Sequence, residues 1–169
     1  MMTTKKLFLI MVLLGACTLC QAQESTRQPA MPQGKLLRVT YDFNGMRMAE
    51  YSDFDLKRNA DGSESEFKFR HYNSSEVSMD GVADSLFDAA RQIIEEERMY
   101  EYASSYSLPR ELAETMLDGF KWQFEAYFEN GASISSHGRH VMPDGKGLRR
   151  IEALLSEAAR ALIEATLDR

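Results

Sequence analysis

Phe120, Trp122, Phe124, Ala126 and Phe128 occupy alternate positions, separated by Lys121, Gln123, Glu125 and Tyr127. Successive side chains of a strand point to opposite faces, so this segment has one apolar face to bury and one polar face to wet. A chain built around it needs a sheet covered on one side. Asn130-Gly131 supplies the left-handed backbone of a tight turn, and Ala132 to Ser136 reads as the partner strand. The five core-facing residues contribute on the order of 10 kcal/mol before chain entropy, at ~1.5–3 kcal/mol per large side chain.

The first half repeats the alternation. Leu37, Val39, Tyr41 and Phe43 predict one strand face, with Arg38, Thr40 and Asp42 on the other. Asn44-Gly45 predicts a hairpin into a second strand, roughly Met46 to Lys57, with a bulge or bend where Glu50 and Ser52 break the pattern. Asn59-Ala60-Asp61-Gly62 is a turn signal, and Phe67 and Phe69 alternate with Glu66, Lys68 and Arg70 in a third strand. From about Asp80, the expected N-cap, the period becomes helical. Val82, Leu86, Ala89 or Ala90, Ile93 and Tyr100 form its apolar stripe, and the helix is expected to end near Tyr102. Leu108-Pro109 opens a short second helix. Leu148 to Leu167 is an amphipathic helix with the stripe Leu148, Ile151, Leu155, Ala158, Leu162 and Ala165.

This order, βββ-α-ββ-α, predicts an α+β fold in two layers: a mostly antiparallel sheet of about five strands with two main helices on one face. Three stretches divide the chain: an export signal (1–22), a polar tether with Pro29 and Pro32 (23–34), and one α+β domain (35–169).

The signal reading rests on Lys5 and Lys6 followed by the apolar run Leu7 to Ala16, too short for a comfortable bilayer span. Two processing routes fit. Leu14-Gly15-Ala16-Cys17 has the form of a lipobox, which would lipidate Cys17 and anchor the chain in a membrane. Cleavage after Ala22 would release it, and apolar character continuing through Leu19 favours this secreted form. Either way the protein is exported, periplasmic or secreted. Both cysteines lie in the signal, which leaves the domain without a disulfide, a thiolate metal site or a cysteine nucleophile.

The net charge is −6, with 20 basic residues, two of them the signal's Lys5 and Lys6, against 26 acidic ones. Without a clustered basic track the chain is not expected to bind nucleic acid or an anionic lipid surface. A lipid anchor is the only expected route to a membrane.

The chemistry-bearing residues are few. His137 and His140, three apart in an expected loop with Asp144 behind them, are the one imaginable metal or loop site, but a loop fixes no facing geometry. His71 continues the core face of the third strand. Ser133, Ser135 and Ser136 precede His137, yet Gly131-Ala132-Ser133-Ile134-Ser135 lacks the G-x-S-x-G elbow that exposes a nucleophile. Glu95, Glu96 and Glu97 read as a solvated helix face rather than a catalytic carboxylate pair. Asp144-Gly145-Lys146-Gly147 lacks phosphate-loop spacing. No cofactor is expected. The sheet face away from the helices carries Arg38, Thr40, Asp42, Lys68, Arg70, Tyr72, Lys121, Gln123, Glu125 and Tyr127, of which Arg38, Arg70, Tyr72, Lys121 and Tyr127 suit a binding face.

Asp118-Gly119, Trp122, Phe128, Gly131, Ile134-Ser135-Ser136, Gly138 and Pro143 resemble a loose family of small uncharacterised exported bacterial proteins, many of them lipoproteins by sequence. The resemblance runs from Leu37 to the C-terminus and implies an exported α+β domain with no assigned activity. Where that family often has serine or asparagine near the loop's end, this chain has His140, so no shared role falls on that residue.

The expectation is a non-enzymatic, macromolecule-binding or accessory protein of the bacterial cell envelope, with an envelope protein or a surface glycan as partner. The alternative is a small periplasmic hydrolase using Ser135 or Ser136 with His137 or His140. The oligomeric state is not specified by the sequence.

Overall fold

The computed structural model describes residues 30–45, 51–71, 75–113, 115 and 119–167. The export signal with Cys17, most of the tether, and Tyr72 lie outside them. The elements are β1 (Leu36–Gly45), β2 (Tyr51–Arg58), β3 (Ser65–His71), β4 (Val77–Asp80), α1 (Asp84–Glu96), a 3₁₀ turn (Met99–Glu101), β5 (Ser105–Ser107), α2 (Arg110–Ala113), β6 (Phe120–Phe128), β7 (Ser133–Arg139) and α3 (Gly147–Leu167). The seven strands form one sheet in the order β4-β3-β2-β1-β6-β7-β5. Every pairing is antiparallel except β5 with β7.

The fold is α+β with a mostly antiparallel sheet, as the alternation requires, but with seven strands rather than about five. The two additional strands, β4 and β5, are only four and three residues long. Asp80 ends β4 instead of capping a helix, and α1 begins after Ala83 without a side-chain cap. Arg98, at φ 50°, ends the helical run earlier than Tyr102. The buried side of α1 is Phe87, Ala90, Ile93 and Ile94, one residue round from the expected stripe at Leu86.

β1 is the middle strand of the sheet, flanked by β2 and β6, and so has no free edge. Its core face comprises Leu36, Val39 and Tyr41, with Phe43 half-buried. Leu36 takes the inward place expected of Leu37 because the β1–β6 register shifts between Leu36 and Arg38. Leu37 is thus the extra residue of a bulge. Asn44 and Gly45 do not turn: they stay in the ladder opposite Lys121 and Phe120. The β2 ladder is unbroken from Tyr51 to Lys57 against β1 and from Ser52 to Arg58 against β3, so Ser52 marks a polar residue on the core face and not a bulge, while Met46 to Glu50 lie outside the described residues. The Asn59–Gly62 turn forms as expected, with the Gly62 N–H donating to the Asn59 carbonyl at 3.0 Å and Gly62 at φ 73°.

The large and small residues of β6 and β7 interlock. Trp122 faces Gly138, Phe124 faces Ser136, and Ala126 faces Ile134. A Cβ at Gly138 would sit 2.6 Å from both Trp122 Cε2 and the Val141 carbonyl oxygen, so glycine alone admits the indole at this distance. The indole N–H donates to that carbonyl at 2.7 Å, which satisfies the one polar atom of the ring.

On this face sit α1 and α3, the latter burying Leu148, Ile151, Leu155 and Ala159. Sheet and helices share a single core. Two basic residues fasten its edges. Arg58, 8% exposed, donates to the Leu36 carbonyl at 2.8 Å and to Asp84 at 2.7 Å, with its guanidinium 4.4 Å from the Phe87 ring centroid. Arg150 bridges Glu96 at 2.7 Å and Glu97 at 2.9 Å, tying the end of α1 to the start of α3. The acidic run therefore joins two helices instead of merely facing solvent. Hydrogen bonding from Gln92 and then Arg150 holds the Glu96 carboxyl below its ordinary range, and Arg150 does the same for Glu97.

Candidate functional site: the open face of the sheet

Antiparallel pairing aligns the outward residues in rows across the strands. One row runs Arg70, Asp53, Asp42, Gln123, His137, Ser105; the next runs Tyr51, Asn44, Lys121, Arg139, Ser107. Because cross-strand neighbours stand about 5 Å apart, each row is a continuous band of functional groups.

Most of the charges of the β1–β2–β3 half are paired within it, Lys57 and Asp42 excepted. Arg38 grips Asp55 through two bonds of 2.8 Å, Arg70 reaches Asp53 at 2.7 Å, and Lys68 reaches Glu66 at 3.1 Å. The Tyr127 hydroxyl donates to Glu125 at 2.9 Å, and the ring is 39% exposed. Among the described residues no cation forms an ion pair with Asp42. Burial and then repulsion from Asp53 push its carboxyl above the ordinary range, and Arg70 only partly relieves this.

The β6–β7–β5 half differs. Lys121 and Arg139 are directly opposed, both exposed, and neither meets a carboxylate among the described residues. Among the described residues the only side-chain bond of Arg139 runs from Nε to His140 Nε2 at 3.1 Å. An open hollow of about 580 Å³ lies here, walled by the short strand β5, with Trp122 and Gly138 also among its lining residues. A second hollow, of about 750 Å³, lies at the opposite end of β2–β3 around Asn59 and Asp80.

Arg38, Arg70, Lys121 and Tyr127 all lie on this open face, as expected. The loop site does not assemble. His137 belongs to β7, not to a loop, and is exposed on the outer face. His140, at φ 62°, folds its ring against Gly119 and Phe120, with a ring-centroid distance of 6.5 Å to Phe120. Asp144 is exposed beyond it. Among the described residues no three His, Cys, Asp or Glu side chains gather as metal ligands.

The serines also separate. Strand alternation sends Ser135 outward and Ser136 inward. Ser136 is fully buried, and its hydroxyl donates to the Ala103 carbonyl at 2.6 Å. It therefore faces away from His137, and no solvent reaches its oxygen. The residues missed in sequence were Arg139, Ser105 and Ser107. Arg139 lay in reach of the alternation, since Ile134, Ser136 and Gly138 share one parity opposite the aromatics of β6. Glycine at 138 reads as loop only if that partner is ignored.

No helix among the described residues is long and apolar enough to cross a membrane. Comparison of the chain with protein-family models, curated proteins and solved structures finds no match.

Proposed function

We propose that this protein is a non-enzymatic, exported domain of the bacterial cell envelope that binds a surface glycan through the open face of its sheet. The observation carrying this reading is that face itself: helices cover only the other side, leaving rows of hydroxyl, amide, carboxylate and guanidinium groups fixed on paired strands. Rigid strands hold such groups with little ordering cost on binding. Protein interfaces of ordinary stability need a desolvated apolar centre. Among the large exposed hydrophobics Val77, Leu112, Tyr127 and Ile163, Tyr127 alone stands among these outward rows. A polyhydroxylated chain has no such requirement; it matches a polar surface bearing one exposed ring. The resemblance to small exported bacterial proteins, and the apolar N-terminal run, are in keeping with an envelope location.

Envelope material treated separately with proteinase and with periodate tests the reading. Binding that survives proteinase, is lost after periodate cleavage of vicinal diols, and falls at least tenfold in Tyr127→Ala supports it. Loss on proteinase treatment replaces the glycan with a protein partner. Absence of binding to untreated envelopes leaves an accessory structural role.

A further inference from the structure

We infer that the hollow between β6, β7 and β5 is the subsite for a carboxylated sugar of that glycan, its carboxylate held between Lys121 and Arg139. The inference rests on the glycan reading and adds the sign and position of the recognised charge.

Directly opposed like charges on neighbouring strands destabilise a sheet. The described structure offers Lys121 and Arg139 no carboxylate, although Arg38, Lys68 and Arg70 on the same face each have one at 3.1 Å or closer; the remaining outward cation, Lys57, makes no ion pair but faces Glu66 across the ladder. The chain as a whole is acidic, at −6, so a cationic pair without a carboxylate partner among the described residues is not part of a general basic surface. A carboxylate between the two would supply the missing counter-charge, and the guanidinium fork suits its two oxygens. Two cations make no extended track, which distinguishes this hollow from a nucleic-acid groove.

The rest of the hollow selects for a sugar over a bare anion. Asp42 lines it one strand from Gln123, which is itself opposite His137. An ionised carboxylate only accepts hydrogen bonds; it repels any anion beside it, the ligand's own carboxylate included, but accepts from a sugar hydroxyl, which a bare anion does not offer. Ser105 and Ser107 sit opposite His137 and Arg139 on β5, and their hydroxyls both donate and accept. One counter-charge site with Ser107 a single strand spacing from Arg139, about 5 Å, and Asp42 two strand spacings from β7, roughly 10 Å, describes an acidic sugar and its neighbour.

NMR titration of the ¹⁵N-labelled protein with trigalacturonate, its fully methyl-esterified form, a glucuronate oligomer, N-acetylneuraminate and inorganic phosphate tests this. Saturable shifts at Lys121, His137, Arg139 and Ser105 are expected with at least one acid, and at least tenfold weaker affinity for the ester. Lys121→Gln and Arg139→Gln should each weaken the acid at least tenfold at a melting temperature no lower than the parent's, while Arg149→Gln on α3 leaves it alone. If ester and acid bind equally on this face, the glycan reading stands and the acidic subsite falls. Phosphate binding as tightly as the acids reduces the hollow to an adventitious ion site and overturns the proposal, as does absence of shifts with every acid.

Discussion

Trp122 shows how one side chain sets the identity of its neighbours. Its indole fills the space above Gly138 and closes a 2.7 Å hydrogen bond to Val141. Trp122→Ala is expected to cost roughly 3–5 kcal/mol, the usual figure for emptying an aromatic site. Gly138→Ala is expected to cost about 1–3 kcal/mol through overpacking, with Gly138→Val worse. Urea midpoints with unchanged m-values check both; a Gly138→Ala midpoint equal to that of the parent would remove the tight contact from the account. The aromatic alternation that made Trp122 legible in sequence says nothing of Leu36 against Leu37, since both are leucine. Only the bulge against β6 chooses between them. Ser52 and Arg58 face the core where alternation looks for apolar groups, and their partners Glu152 and Asp84 come from helices far along the chain.

At the scale of elements, the bulge in β1 makes a sharp expectation. Removing Leu37 would join Leu36 to Arg38 in a regular ladder, with Leu36 still opposite Phe128 and Arg38 opposite Tyr127. Deletion of Leu37 should therefore shift stability by no more than about 1 kcal/mol, whereas Leu36→Ala should cost roughly 2–5 kcal/mol. Thermal melts of the two variants decide it, and the reverse order would sink the register. α3 carries a second prediction. Burial pushes the Glu152 carboxyl above its ordinary range, only partly offset by the Ser52 hydroxyl at 3.4 Å. The folded state thus holds that proton more tightly than the unfolded chain, and stability is lost as pH rises from the ordinary glutamate value, about 4.3, through the raised one. Glu152→Gln should melt higher than the parent at pH 7 and together with it near pH 3.5; equal melting at both pH values would refute the burial. Long elements such as β6 and α3 were legible because their periodicity spans many residues. β4 and β5 were not, because three or four residues carry no period and their places are set by ladders to β3 and β7.

For the whole molecule, one shared core predicts one cooperative transition. Trp122 is the sole tryptophan, so its fluorescence reports the sheet while far-UV circular dichroism also weighs the helices. The two urea curves should coincide, and a helical signal outlasting the fluorescence would show that the layers unfold separately. The layering was readable in advance because each amphipathic segment had one face to hide. The candidate site was readable only in part: Arg38, Arg70, Lys121 and Tyr127 follow from alternation, but the contrast between a mostly paired half and a cationic half depends on which strand lies beside which.

The central place of β1 has a consequence for how the polypeptide is made. The strand emerges early, pairs at once with β2, and then waits with its other edge bare until β6 arrives from the far half of the chain. Such remote pairing folds slowly, on the order of milliseconds to seconds. A nascent chain would thus remain unfinished, and threadable through a narrow pore, for as long as its last third is still to come.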